Sequence, residues 1–166
     1  MPLNIFDRGA SLGRLKEPLA NDLWKHMRSD IKTMDVQGNG TITQLYLNPL
    51  RTDMSEFSDR LDPIYDALDE PKYESAIQYK YYKRGHFMML HTDVGYYDRI
   101  TMITLGGDKT YLFEDKETRE QHELNATHGD VLILRGDSLE MGHSFKKLKK
   151  QCGSIILRHG EYHNWK

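Results

Sequence analysis

From Pro18 onward, Leu19, Leu23, Trp24, Met27, Ile31 and Met34 recur at helical spacing, and Gly38-Asn39-Gly40 closes the run with turn chemistry. Thr41-Ile-Thr-Gln-Leu-Tyr-Leu47 then changes to the alternation of a strand. A second amphipathic helix is predicted from about Ser55, with Ser55 as its cap and Phe57, Leu61, Ile64, Tyr65 and Leu68 on one face. Beyond Pro71 the period drops to two and stays there. Ala76–Lys83 is rich in aromatic and β-branched residues, and Arg84-Gly85 is a turn that sends the chain back through His86–Leu90 as the second arm of a hairpin. Short apolar runs at Arg99–Leu105, Thr110–Phe113, Val131–Leu134 and Gly153–Arg158 follow, separated by Gly106-Gly107, His128-Gly129-Asp130 and Arg135-Gly136-Asp137.

Many short strands punctuated by turns indicate a sandwich or barrel. The expected class is therefore mainly β with flanking helices (α+β): a double-stranded β-helix, or jelly-roll, buttressed by two N-terminal helices. Residues 1–166 are expected to form a single domain, with the helices and first strand in 1–72 and the core in 73–160. A chain of 166 residues suffices for one such core and not for a second globular unit.

Charge and cysteine content narrow the setting. A net charge of −2 argues against a general nucleic-acid binder, which would normally be basic. Lys146-Lys147-Leu148-Lys149-Lys150 is the local exception, either a positive rim that attracts anions or a solvated loop. One cysteine leaves no intramolecular disulfide and suits a reducing compartment. With no long apolar segment and no basic-then-apolar start, the expectation is a soluble, cytoplasmic protein without a membrane partner.

The chemistry concentrates in His91-Thr92-Asp93 and His143. On a strand, residues i and i+2 face the same way, so His91 and Asp93 can grip one metal while His143 arrives from a distant strand. Two histidines and a carboxylate form the facial set that holds non-haem Fe(II) and leaves positions open for a co-substrate and O₂. Gln78 and Lys80 share the face of Tyr82 on the preceding strand and are expected to line the same pocket.

Taken together, Tyr82-x-x-Gly85 leading to His91-x-Asp93, Ile103-Thr-Leu-Gly-Gly with Tyr111-Leu-Phe113, His128–Leu134, His143-Ser144 and Ser154–Arg158 resemble the AlkB-like branch of the Fe(II)- and 2-oxoglutarate-dependent dioxygenases. They occur in that family's order over about half the chain. The resemblance implies His91, Asp93 and His143 as iron ligands and catalytic centre. It implies Tyr82, Arg158, Ser154, Lys80 and Gln78 around 2-oxoglutarate. Cys152 stands where the family has the arginine that pairs with the distal carboxylate of 2-oxoglutarate. A thiol cannot replace that guanidinium, so either another cation compensates, Lys80 with Arg158 being the first candidates, or the co-substrate is held differently. Gly95 stands where repair enzymes carry an acidic residue, beside Tyr96 and Tyr97, which could stack on a base or cover the pocket rim.

The implied activity is hydroxylation or demethylation with release of succinate and CO₂. The substrate is either a nucleobase or nucleic acid, or a protein side chain or small molecule. A metal-retaining module without catalysis is the third reading.

Overall fold

The computed structural model describes residues 2–30, 35–37, 41–93 and 97–160. The strands are β1 (Ser11–Arg14), β2 (Asp35–Gln37), β3 (Ile42–Leu47), β4 (Ser75–Tyr82), β5 (Met88–His91), β6 (Tyr97–Leu105), β7 (Lys109–Glu114), β8 (Gln121–Ala126), β9 (Asp130–Leu134), β10 (Gly142–Phe145) and β11 (Cys152–Gly160). Two helices, α1 (Glu17–Asp30) and α2 (Ser58–Leu68), precede β4. A seven-stranded sheet runs β1-β9-β6-β11-β4-β3-β2 and a four-stranded sheet β5-β10-β7-β8, with antiparallel pairing throughout. This is the expected α+β jelly-roll.

Period-two alternation divides the strands β3, β4, β6, β9 and β11 between two cores. Ile77, Tyr79, Ile103, Leu105, Ile155 and Leu157 meet Leu23, Met27, Leu61 and Ile64 of the helices. Tyr82, Met102, Cys152 and Ile156 face the other way, against Tyr111, Phe113 and Phe145 of the minor sheet. Helix α1 lies so close to its sheet that no side chain fits at two points beneath Trp24. A Cβ on Gly106, whose φ is +76°, would stand 2.2 Å from the indole, and one on Gly153 would stand 2.3 Å from the Met27 sulfur.

Two expectations change. Arg84-Gly85 does not close a hairpin: β4 already has β3 and β11 on its two edges, so the chain crosses to the opposite sheet and β5 pairs with β10. The second helix starts at Ser58. A 3-10 turn, Met54–Glu56, precedes it, capped by Asp53, whose carboxylate accepts from the Ser55 N–H at 3.0 Å. The turn expected at His128-Gly129-Asp130 is present and also serves as a joint. His128 Nδ1 accepts from the Gly106 N–H at 2.8 Å, its Nε2 meets Asn21 Oδ1 at 2.8 Å, and Asp130 accepts from the Thr127 N–H. Ile31, Met34, Gly38-Asn39-Gly40, Gly95 and Tyr96 lie outside the described residues.

Glu70, after α2, ties the helical layer to the major sheet. Its carboxylate meets His159 Nε2 at 2.9 Å, Arg99 at 3.5 Å and Thr101 at 3.4 Å, and its side chain is 3% exposed. Burial alone would raise its pKa, but the hydrogen bond and charge of His159, with Arg99 and Thr101, outweigh burial and hold it below the usual range. A carboxyl lowered in the fold stabilises above the unfolded value, and that contribution disappears as pH falls through the folded one. Glu70→Gln is therefore expected to cost roughly 3 kcal/mol near neutral pH. Its melting-temperature deficit against wild type should shrink below about pH 4.5 in a thermal-melt series, and a deficit independent of pH would refute this.

Candidate metal centre

His91 ends β5 and His143 sits directly opposite it on β10, so antiparallel register brings residues fifty-two positions apart side by side. Their rings lie 4.4 Å apart between centroids. Asp93 follows two residues after His91, with its carboxylate oxygens 3.7 Å from His91 Nε2 and 4.0 Å from His143 Nε2. The three ligating atoms fall within 4.8 Å of one another. A first-row metal bonded at roughly 2 Å to each would draw them together by under about 1 Å each.

Backbone hydrogen bonds aim the imidazoles. His91 Nδ1 donates to the Met89 carbonyl at 2.9 Å, leaving Nε2 as the free lone pair. His143 is likewise bonded to the backbone of Met141, also two residues upstream. Burial pushes His143 down to about 4, opposed by Asp93 and reinforced by His91, so the ring is neutral and ready to ligate at neutral pH. Arg158 on β11 places Nη2 3.6 Å from Asp93 and donates from Nη1 to Gln78 Oε1 at 2.8 Å, while Gln78 donates to Gln44 at 2.9 Å. This chain of contacts fixes the carboxylate from the major sheet.

A cavity of about 380 Å³ opens at the triad and runs between the sheets, walled by Lys80, Tyr82, Lys109, Phe145, Ser154 and Arg158 among others. Gln78 is not one of its walls, because its amide is committed to Arg158 and Gln44. Lys80 is a wall; burial, then Arg158 and Lys109, push its pKa down to about 8 against the pull of Asp93. Tyr82 is wholly buried, and among the described residues its hydroxyl makes no hydrogen bond of ordinary geometry, although the Ser154 side chain is close enough to act on it. Cys152 is also fully buried, and burial raises its thiol pKa.

Sequence reasoning missed Lys109, placed in the turn before a strand beginning at Thr110. The strand starts one residue earlier, so Lys109 shares the inward face of Tyr111 and Phe113. That parity was the available signal. On the far side of Asp93 a wider cleft of about 990 Å³ is lined by Asp98, Asp115, Glu117, Asp137 and Glu140 against Arg8 and Lys116, with Tyr97 in its wall. The 146–150 lysines line a separate cavity that includes none of the triad.

Fold and site together define a jelly-roll with a two-histidine, one-carboxylate cluster at the open end of an inter-sheet cavity. The same fold occurs in a prolyl-4-hydroxylase from Pseudomonas putida (TM-score 0.66, 13% identity, 93% of this chain and 94% of that one) and in OsALKBH1 (TM-score 0.68, 14% identity, 91% and 98%). The coconut allergen cocosin is more distant (TM-score 0.53, 14% identity, 79% and 29%). No family model and no curated protein sequence matches the chain.

Proposed function

We propose that this chain is an Fe(II)- and 2-oxoglutarate-dependent oxygenase that hydroxylates a protein side chain or small molecule. The observation that carries the reading is the facial cluster of His91, Asp93 and His143 at the mouth of a cavity that holds three cationic side chains, Lys80, Lys109 and Arg158. The donor set, two imidazoles and one carboxylate, suits Fe(II) and leaves room for a bidentate partner and O₂. The AlkB-like motifs and the likeness in fold to OsALKBH1 and to the prolyl-4-hydroxylase support the same chemistry without separating the two branches.

When bound, iron would allow O₂ to oxidise substrate and 2-oxoglutarate together, one oxygen atom entering a substrate C–H bond and the other entering succinate as 2-oxoglutarate loses CO₂. The protein's own share is placement. Backbone hydrogen bonds orient His91 and His143, burial keeps His143 neutral, Arg158 steadies Asp93, and the aromatic walls from Tyr82, Phe145 and Tyr111 exclude water.

The acidic cleft beside Asp93 favours a neutral or cationic substrate over a phosphate backbone, which its carboxylates would repel. The nucleic-acid reading remains the second, supported by the AlkB-like strands.

Anaerobic titration with Fe(II) and 2-oxoglutarate tests the assignment. The expected result is the weak visible charge-transfer band of a bidentate 2-oxo acid on iron. Iron binding without that band sinks the co-substrate assignment. Succinate release stimulated by peptides and not by methylated oligonucleotides is the expected outcome for substrate.

A further inference from the structure

Lys109 is a charge in an unusual place. Its side chain leaves β7 for the space between the sheets, where the residue is 1% exposed. Its ammonium donates to the Ser154 hydroxyl and, at 3.4 Å, to the Tyr111 hydroxyl. It stands 4.6 Å from the Tyr82 ring centroid, 4.9 Å from that of Phe145 and 5.3 Å from that of Tyr111. Among the described residues no carboxylate lies within 4 Å of it; the cavity's one acidic wall, Asp93, is engaged by Arg158 at the other end. Ring faces and hydroxyls offset part of the desolvation of a buried ammonium, but they do not neutralise it. Burial works against the charge and the surrounding oxygens and thiol work for it, with a net upward direction, so Lys109 is protonated at neutral pH.

A second observation points to the same spot. Among the described residues the Tyr82 hydroxyl, fully buried and lining this cavity, lacks a partner of ordinary geometry, with the Ser154 side chain close enough to act on it. Buried polar groups are nearly always satisfied, so an unpaired donor beside an uncompensated cation marks the place of an absent acceptor. The position also coincides with the gap noted at Cys152. Cys152 is the register partner of Tyr82, Ser154 follows it on the same face, and Lys109 is near enough to act on the Cys152 thiol.

We propose that Lys109 forms a carboxylate subsite at the closed end of the metal cavity, with the Tyr82 and Ser154 hydroxyls beside it, and holds the distal carboxylate of 2-oxoglutarate from the minor sheet. The cation that an arginine at position 152 would bring from β11 is delivered from the opposite wall. Lys80 is the weaker partner, since its own charge is already disfavoured there. This inference rests on the co-substrate reading above.

The test is calorimetry on the Mn(II)-loaded protein with two probes of equal carbon count, 2-oxoglutarate and 2-oxopentanoate, which lacks the distal carboxylate. Wild type should prefer 2-oxoglutarate by about a hundredfold, matching the worth of a buried charge-assisted contact. Lys109→Met should erase most of that preference while leaving Mn(II) affinity and 2-oxopentanoate binding unchanged, and Lys109→Arg should restore part of it. Lys80→Met should retain it. A preference that survives in Lys109→Met overturns the proposal, as does a wild type that binds both 2-oxo acids equally well. If metal-loaded wild type binds neither 2-oxo acid, the co-substrate reading has failed separately. The subsite then stands if glutarate binds wild type and not Lys109→Met, and falls if glutarate binds neither.

Discussion

Asp93→Ala is expected to abolish metal binding at any concentration that saturates the wild type, and turnover with it. Asp93 is the one anionic ligand, placed 3.7 and 4.0 Å from the two imidazole nitrogens. Among the described residues it is also the only carboxylate in the walls of a cavity containing Lys80, Lys109 and Arg158. Its loss removes a ligand and leaves three positive charges to repel a dication. The effect should exceed the roughly 10–100-fold that disturbing an outer-shell partner costs. Competition against a chelator of known affinity checks this, and full retention of iron affinity or activity would remove Asp93 from the site. The metal-free melting temperature serves as the control that the fold is intact.

Phe113→Ala is expected to be the most damaging single truncation in the core between the sheets. Phe113 is fully buried on β7, opposite His143 in register, with its ring centroid 6.2 Å from the imidazole. Replacing a buried phenyl ring costs about 3–5 kcal/mol, mostly because the cavity left behind does not collapse. For a domain of this size that lowers the melting temperature by roughly 10 °C. Thermal melts measure it, and a shift under about 3 °C would mean the neighbouring rings close over the space. The same gap lies behind a metal ligand, so chelator competition should register a weaker site in a protein that still folds.

The two variants mark how far the chain could be read before folding. The i, i+2 placement of His91 and Asp93 and the strand parity of Tyr82 and Phe113 are local, and local patterning exposes them. The inner strands were legible for the same reason, being apolar runs between turns. Strand β8 was not, because as an edge strand it buries only Ala126 fully and reads as a polar loop, Gln121-His-Glu-Leu-Asn-Ala126. The supposed hairpin failed because its turn residues do not say which sheet the next strand joins. Lys109 was missed because a charged residue beside Gly106-Gly107-Asp108 looks like part of a turn. Only the opposing sheet turns it into a buried cation.

Strand β11 sits in the middle of the seven-stranded sheet and is the last of the described strands in chain order. Its pairing with β4 joins Cys152 to Tyr82 and His159 to Ser75, contacts 70 to 84 residues apart. During synthesis the ribosome therefore releases β4 and β6 long before the strand that belongs between them, and their facing edges stay open until then. Folding of this chain is a late, non-local event, slow by the measure of contact order, and the centre of the molecule is the part finished last.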